Sequence, residues 1–298
     1  MSKFYLLLSL FLLPLFATAQ LTPEPEEVKK VKLRGFDYDP RTEDVYKVNR
    51  WKTAAVGVGG MALSTWGIER LRQKDRLDAE ELAALDPNDV PWFDEFGVTR
   101  DPEDRQEAAE SSDVFFNTAI LLPAALFVSK RMRKDFLDIT LVYLETHALS
   151  ANTYAWSPLG PTFNNRLRPV AFYPSVDDGT REQGNTRNGF FSGHVSTTAV
   201  GTFFTAKVLC DYHPELRGYQ KALIYGVASL PPAYVGYQRV RALKHFPSDS
   251  AAGFAVGAFW GIMTPHIHKR WQRKHKSRLS MGGSYQDGAG SMGLSLTF

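Results

Sequence analysis

Three short stretches of this chain carry residue types suited to holding and attacking a tetrahedral anion. In Gln238-Arg239-Val240-Arg241-Ala242-Leu243-Lys244-His245-Phe246-Pro247-Ser248-Asp249, an arginine stands six residues before a histidine, and an aspartate follows four residues after it. If the run past Pro247 turns into a helix, Asp249 returns beneath His245, fixes one imidazole tautomer and leaves the other nitrogen free. Arg239 then offers a forked, permanently charged donor to an anion lying against that nitrogen. Taken alone, the segment also fits a surface histidine beside a helix cap. Two upstream stretches add weight to the chemical reading: Arg166-Leu167-Arg168-Pro169 and Phe191-Ser192-Gly193-His194. A helix that starts directly after Ser192-Gly193 points its free amides at an anion.

The elements that must bring these stretches together are helices. Thr53 to Ile68, Val114 to Ser129, His194 to Asp211, Tyr219 to Gln238 and Ser250 to His268 are apolar runs. From Asp135 to Ser150, apolar Phe136, Ile139, Tyr143 and Leu144 alternate with polar Asp138 and Glu145 at a helical period. Gly57, Gly59 and Gly60 within Thr53 to Ile68 fit a helix that approaches its neighbours closely, or a short span. The charged stretch from Glu69 to Ser112 reads as a surface insertion, and the long irregular stretch from Ala151 to Phe191 as a functional loop. Each candidate stretch lies at a helix end, and antiparallel packing places those ends on one face. The expected fold is therefore all-α, a helical bundle. A short C-terminal β-hairpin or tail follows it, where alternating residues flank Met281-Gly282-Gly283 and Gly288-Ala289-Gly290.

A chain of 298 residues, 44% of them apolar, can bury the core of one large domain. The net charge of +3 is small, and the basic clusters at Lys130 to Lys134 and Lys269 to Arg278 sit beside apolar runs. That placement suits membrane-flanking anchors and argues against a nucleic-acid partner. The single cysteine, Cys210, excludes an internal disulfide and a cysteine zinc cluster. Glu145 and His147 lack further ligands at helical spacing and read as hydrogen-bonded polar positions, not as a metal site. Met1-Ser2-Lys3, the apolar run Phe4 to Phe16 and Ala17-Thr18-Ala19 form the three parts of a secretory signal. The expected organisation is a signal peptide at 1–19, a polar leader at 20–50, a helical domain at 51–278 with its motif core at 136–268, and the hairpin or tail at 279–298. Several apolar runs fall short of the ~20 residues that cross a bilayer unaided. Membrane-embedded, membrane-associated and soluble periplasmic arrangements all stay open.

In order and spacing the three motifs resemble the superfamily of type 2 phosphatidic acid phosphatases, bacterial acid phosphatases and vanadium haloperoxidases. That family has a Lys, six residues, then Arg-Pro, later Pro-Ser-Gly-His, and later Ser-Arg, five residues, His, three residues and Asp. Here the corresponding residues are Arg168-Pro169, Phe191-Ser192-Gly193-His194, and Gln238-Arg239 with His245 and Asp249. The resemblance implies that His245 is the nucleophile and takes the phosphoryl group, with Asp249 orienting it. It implies that His194 protonates the leaving alcohol and later deprotonates the hydrolytic water. Arg168, Arg239, the Ser192 hydroxyl and the Gly193 amide would hold the three equatorial oxygens. No metal and no other cofactor are called for.

The function so implied is a phosphomonoesterase of the cell envelope, acting on a lipid phosphate or similar ester with its site facing the periplasm. The alternatives are a vanadate-dependent haloperoxidase, since vanadate mimics the phosphoryl transition state, and an impaired member that binds anionic lipid head groups. One departure is serious: where the family has its lysine, seven positions before Arg168, this chain has Pro161. Arg166 is the nearest cation that could reach into the site, with Asn164 and Asn165 as neutral donors. Loss of one such donor typically costs about 10²- to 10³-fold in rate.

Overall fold

The apolar runs close into helices that extend beyond the uncharged segments. The computed structural model describes residues 31–33, 36–38, 45–276, 279–286 and 289–296. Among these lie the helices α1 (Arg50–Arg72), α2 (Ala79–Ala83), α3 (Arg105–Leu121), α4 (Lys130–Lys134), α5 (Phe136–Trp156), α6 (Asp178–Arg181), α7 (Gly193–Tyr212), α8 (Gly218–Arg241) and α9 (Pro247–Lys276). Towards the chain ends, β1 (Val31–Leu33) pairs antiparallel with β2 (Phe36–Tyr38), and β3 (Leu279–Gln286) with β4 (Ala289–Leu296), Leu279 opposite Leu296. The signal peptide expected at 1–19 lies outside the described residues, as does most of the polar leader.

Helix α7 is the centre of the bundle. Nearly every side chain from Val195 to Tyr212 is buried, as expected for a helix apolar on all faces. It packs against α3, α5, α8 and α9, while α1 lies along α5. At the end of α7 away from His194, Phe204, Val208 and Tyr212 pack with Ile139 and Val142 of α5 and with Leu126 and Met132. Each such burial contributes roughly 1.5–3 kcal/mol, so this end anchors the helix whose opposite end carries the site.

Close approach of α9 to α7 sets the distance between the last two motifs. A Cβ on Gly253 would lie 2.4 Å from the Ser192 carbonyl oxygen, and one on Gly257 2.1 Å from that of Ser196. The start of α7 therefore touches the second and third turns of α9 backbone to backbone, and the Ser192 amide donates to the Asp249 carbonyl at 3.0 Å, which holds the two helix starts together. Helix α3 ends where Pro123, which has no amide proton to donate, sits in the first turn of a tighter 3-10 helix, Leu122–Val128.

The charged stretch read as a surface insertion is not all surface. Helix α1 runs on to Arg72, and Arg105 to Ser112 form the first half of α3. Asp94 is fully buried.

Candidate active site

His245 lies in the turn between α8 and α9, with 2% of its surface exposed. Burial, then the charges of Arg168 and Arg239, hold its pKa well below the ordinary imidazole value, so the ring is neutral. Its Nδ1 stands 2.7 Å from the Gly189 carbonyl oxygen. A carbonyl can only accept, so Nδ1 carries the proton and Nε2 is left with its lone pair. Gly189 is required at that position: a Cβ there would lie 2.8 Å from the carbonyl oxygens of Arg166 and Leu167.

Around this imidazole the structure gathers cations with few counter-ions. Arg168, in the middle of the long loop, meets acceptors among the described residues only through Nε, 3.4 Å from the Asn188 carbonyl. Its side chain is half-buried. Arg239, in the last turn of α8, reaches Ser112 Oγ at 3.4 Å and Asp113 Oδ1 at 3.6 Å through Nη1, while its buried Nε has no partner. Burial and the Arg168 charge lower its pKa to about 10. The Ser192 hydroxyl caps α7, 3.5 Å from the Val195 amide, and keeps its own proton to donate. At Gly193 an added Cβ would meet only the Tyr154 ring, at 3.8 Å.

His194 follows directly. Its ring lies against Phe116, centroids 4.5 Å apart, and Nε2 is 3.2 Å from Asp113 Oδ1. Burial, then Arg239, Arg168 and Lys244, lower its pKa to about 3. Asp113 pulls the other way, but its carboxylate is half exposed and screened by water. The two imidazoles fall within electrostatic reach of each other. The structure thus brings Arg168, His194, Arg239 and His245 within electrostatic reach of one another, and the Ser192 amide, one residue ahead of Gly193, donates to the Asp249 carbonyl at 3.0 Å.

Two expected roles are corrected. Asp249 does not touch His245. Its Oδ2 accepts from the Phe246 amide at 2.7 Å, and Oδ1 lies 3.0 Å from Arg166 Nε, out of hydrogen-bond alignment. The helix begins at Pro247, so a carboxylate in its first turn folds back onto the amide just ahead of it, a capping contact, and the imidazole turns to Gly189 instead. Burial, only partly offset by the Arg166 charge, raises the Asp249 pKa to about 7.

Arg166 does not offer its charge to the pocket. Its Nη2 is 2.5 Å from Asp94 Oδ2 and 3.0 Å from Ser248 Oγ. Asp94 in turn accepts from the Ser248 amide at 2.9 Å. Asp94, Arg166 and Asp249 together brace the start of α9 and hold the backbone on which His245 rides. Asn164 and Asn165 face outward and accept from the Lys74 ammonium at 3.0 and 2.7 Å. Pro161 is buried in a turn against the end of α5. The metal reading weighed for Glu145 and His147 gains nothing, since Glu145 Oε2 pairs with His268 Nε2 at 2.8 Å and no cluster of potential metal ligands forms among the described residues.

Residues 139–273 match the family model of the PAP2 superfamily. This stretch is a PAP2-superfamily domain. The matched residues of the PAP2 domain include Arg168, Ser192, Gly193, His194, Arg239, His245 and Asp249. Ser112 and Asp113 of α3 lie ahead of them. Among solved structures, the chain is similar to "the first transmembrane PAP2 type phosphatidylglycerolphosphate phosphatase from Bacillus subtilis", with 20% identity, 74% of this chain and 97% of that chain covered, and a TM-score of 0.41. No curated protein sequence matches the chain at a significant level.

Sequence reasoning missed Gly189, Asp113, Ser112, Asp94 and Lys244. None of the first four lies in a motif with recognisable spacing. Lys244 stands inside one, between two residues that were singled out.

Proposed function

We propose that the protein is a phosphomonoesterase that transfers the phosphoryl group of a lipid phosphate to His245 and then to water. The observation that carries this reading is the His245 Nδ1 contact with the Gly189 carbonyl, 2.7 Å, which leaves Nε2 as a neutral nucleophile facing under-partnered guanidinium groups. Nε2 attacks phosphorus, the bond from phosphorus to the ester oxygen breaks, and the leaving alkoxide takes a proton from His194. Water then attacks the phosphohistidine, the nitrogen–phosphorus bond breaks, and neutral His194 takes the water's proton. His194 is neutral in this structure, its pKa lowered to about 3. A phosphate monoanion entering the site brings both the negative charge that offsets the surrounding cations and the proton that His194 needs. Arg168, Arg239, the Ser192 hydroxyl and the Gly193 amide face the equatorial oxygens, where charge collects in the transition state.

Two features support a lipid substrate. An apolar groove of about 430 Å³ between α8 and α9 is lined by Gly236, Tyr237, Val240, Pro247, Ala251 and Phe254. Val240 and Pro247 bracket the turn that carries His245, so an acyl chain fits beside the phosphate. Large apolar side chains also face outward, with Trp51 88%, Trp92 84% and Trp271 66% exposed, as at a membrane interface. The segment Arg105–Val128 has the length and hydropathy to enter a bilayer. With the export signal read at 1–19, these features support a cell-envelope location, and the reading puts the site on the periplasmic side.

The test is phosphate release from phosphatidic acid in mixed micelles and from a generic aryl phosphate, each with and without vanadate. Release from both, suppressed by vanadate and abolished by His245→Ala, is expected. Retained turnover in His245→Ala would overturn the assignment of the nucleophile.

A further inference from the structure

A phosphoryl group in transfer spreads its charge over three oxygens, and Arg168 and Arg239 supply two guanidinium groups to meet them. Pro161 supplies no third cation. The structure supplies one from the C-terminal turn of α8. There Leu243 adopts a left-handed backbone, φ 56°, with its amide donating to the Val240 carbonyl at 3.0 Å and the Lys244 amide donating to that of Arg239 at 3.1 Å. This pair of bonds closes the helix as a Schellman motif. A left-handed backbone is strained for a leucine, whose Cβ crowds the following carbonyl. It is held there because the side chain is wholly buried against Val170, Tyr173 and Val176, and its carbonyl accepts from the Val170 amide at 3.1 Å.

The consequence is where Lys244 stands. The turn folds it back beside Arg239 and immediately ahead of His245. Its side chain is half-buried, and no hydrogen bond or ion pair with the described residues holds its ammonium. The charges within reach are Arg168, Arg239 and Arg105, with Asp113 as the opposing carboxylate. Lys244 is itself one of the three cations felt by His194. A partly buried ammonium set among like charges, with no protein counter-ion, is unfavourable until an anion enters.

We propose that Lys244 is a phosphate-binding cation of this pocket, taking the part left open by Pro161 and setting the alkaline limit of phosphate binding. The proposal rests on the phosphatase reading for its mechanistic meaning, but the anion site is testable without turnover. Burial first, then Arg168, Arg239 and Arg105, lower the Lys244 pKa to about 8. Its charge is present below that pH and lost above it.

The test is calorimetric binding of inorganic phosphate to the full chain, to Lys244→Met and to Lys244→Arg, each checked for a cooperative melt, with Lys244→Met carrying any change in the phosphate's own ionisation. Wild-type affinity should fall as pH rises through 8. Lys244→Met should bind about tenfold or more weakly at pH 7 and show no such fall, while Lys244→Arg should hold its affinity through that range. If wild type and Lys244→Met bind equally with the same pH dependence, the inference is overturned. If Lys244→Met does not fold, an unchanged alkaline fall in Lys244→Arg overturns it in the same way. Aryl phosphate turnover separates this claim from the previous one. Binding that behaves as expected in a protein releasing no phosphate leaves Lys244 as an oxyanion ligand and removes the phosphatase. Absence of phosphate binding in every form removes both.

Discussion

Asp249→Asn separates two accounts of His245. In the structure Asp249 acts on the imidazole only through the backbone, because Oδ2 accepts from the Phe246 amide at 2.7 Å while His245 Nδ1 is satisfied by Gly189. A hydrogen bond to a charged acceptor is worth about 1.5–3 kcal/mol and to a neutral one about 0.5–1.5, so the asparagine weakens this brace by about 1 kcal/mol. If all of that appeared in the barrier, kcat would fall about fivefold. A carboxylate oriented directly on the imidazole, changed to its amide, costs on the order of 10⁴ in a serine protease triad. Initial-rate measurement with an aryl phosphate, beside a thermal melt, distinguishes the two. The same variant has a signature in stability. The Asp249 pKa is pushed up to about 7 in the fold against about 3.9 unfolded, so the folded state binds an extra proton between those values. This group therefore removes stability as pH rises through that window and changes nothing above it. Stability of Asp249→Asn relative to wild type should rise over the window and then level off. A loss of 10³-fold or more in kcat with the melt intact would refute the reasoning and restore a direct contact with His245.

Other substitutions probe the remaining parts. Gly189→Ala forces a Cβ to within 2.8 Å of two carbonyl oxygens, so a loss of about 1–3 kcal/mol, read as a melting shift of several degrees, should accompany a fall in kcat. Arg168→Ala removes a donor from the developing charge and should lower kcat/KM by about 10²- to 10³-fold, with the melting temperature little changed. Asp113→Asn removes the carboxylate that lies 3.2 Å from His194 and 3.6 Å from Arg239. A water-screened contact at that distance is worth about 1 kcal/mol, so phosphate should inhibit this variant severalfold more tightly.

Much of this architecture was legible in the chain because helix ends and histidines leave local marks. Ser192-Gly193 announced a helix start, and the apolar period of Phe136, Ile139 and Tyr143 announced α5. The partners of those residues were not legible, because they come from long-range packing. Spacing suggested that Asp249 turns back onto His245, yet the carboxylate reaches the nearer Phe246 amide. Arg166 looked free because nothing in the sequence couples it to Asp94, 72 residues away. Asp113 sits in the middle of α3 with no motif around it, and only the packing of α3 against α7 and α8 brings it to His194. The role of Lys244 depends on a left-handed leucine, a conformation that no rule of composition assigns to leucine.

The central claim is that His245 Nε2 becomes covalently phosphorylated. Brief reaction with a ³²P-labelled phosphate ester, quenched in alkali and followed by peptide mapping, tests it directly. The account predicts an acid-labile, alkali-stable label on the peptide containing His245, absent in His245→Ala and, with an aryl phosphate whose leaving group needs no proton, accumulating in His194→Ala, where water is no longer deprotonated. Turnover without such a label, or a label on another residue, would contradict it.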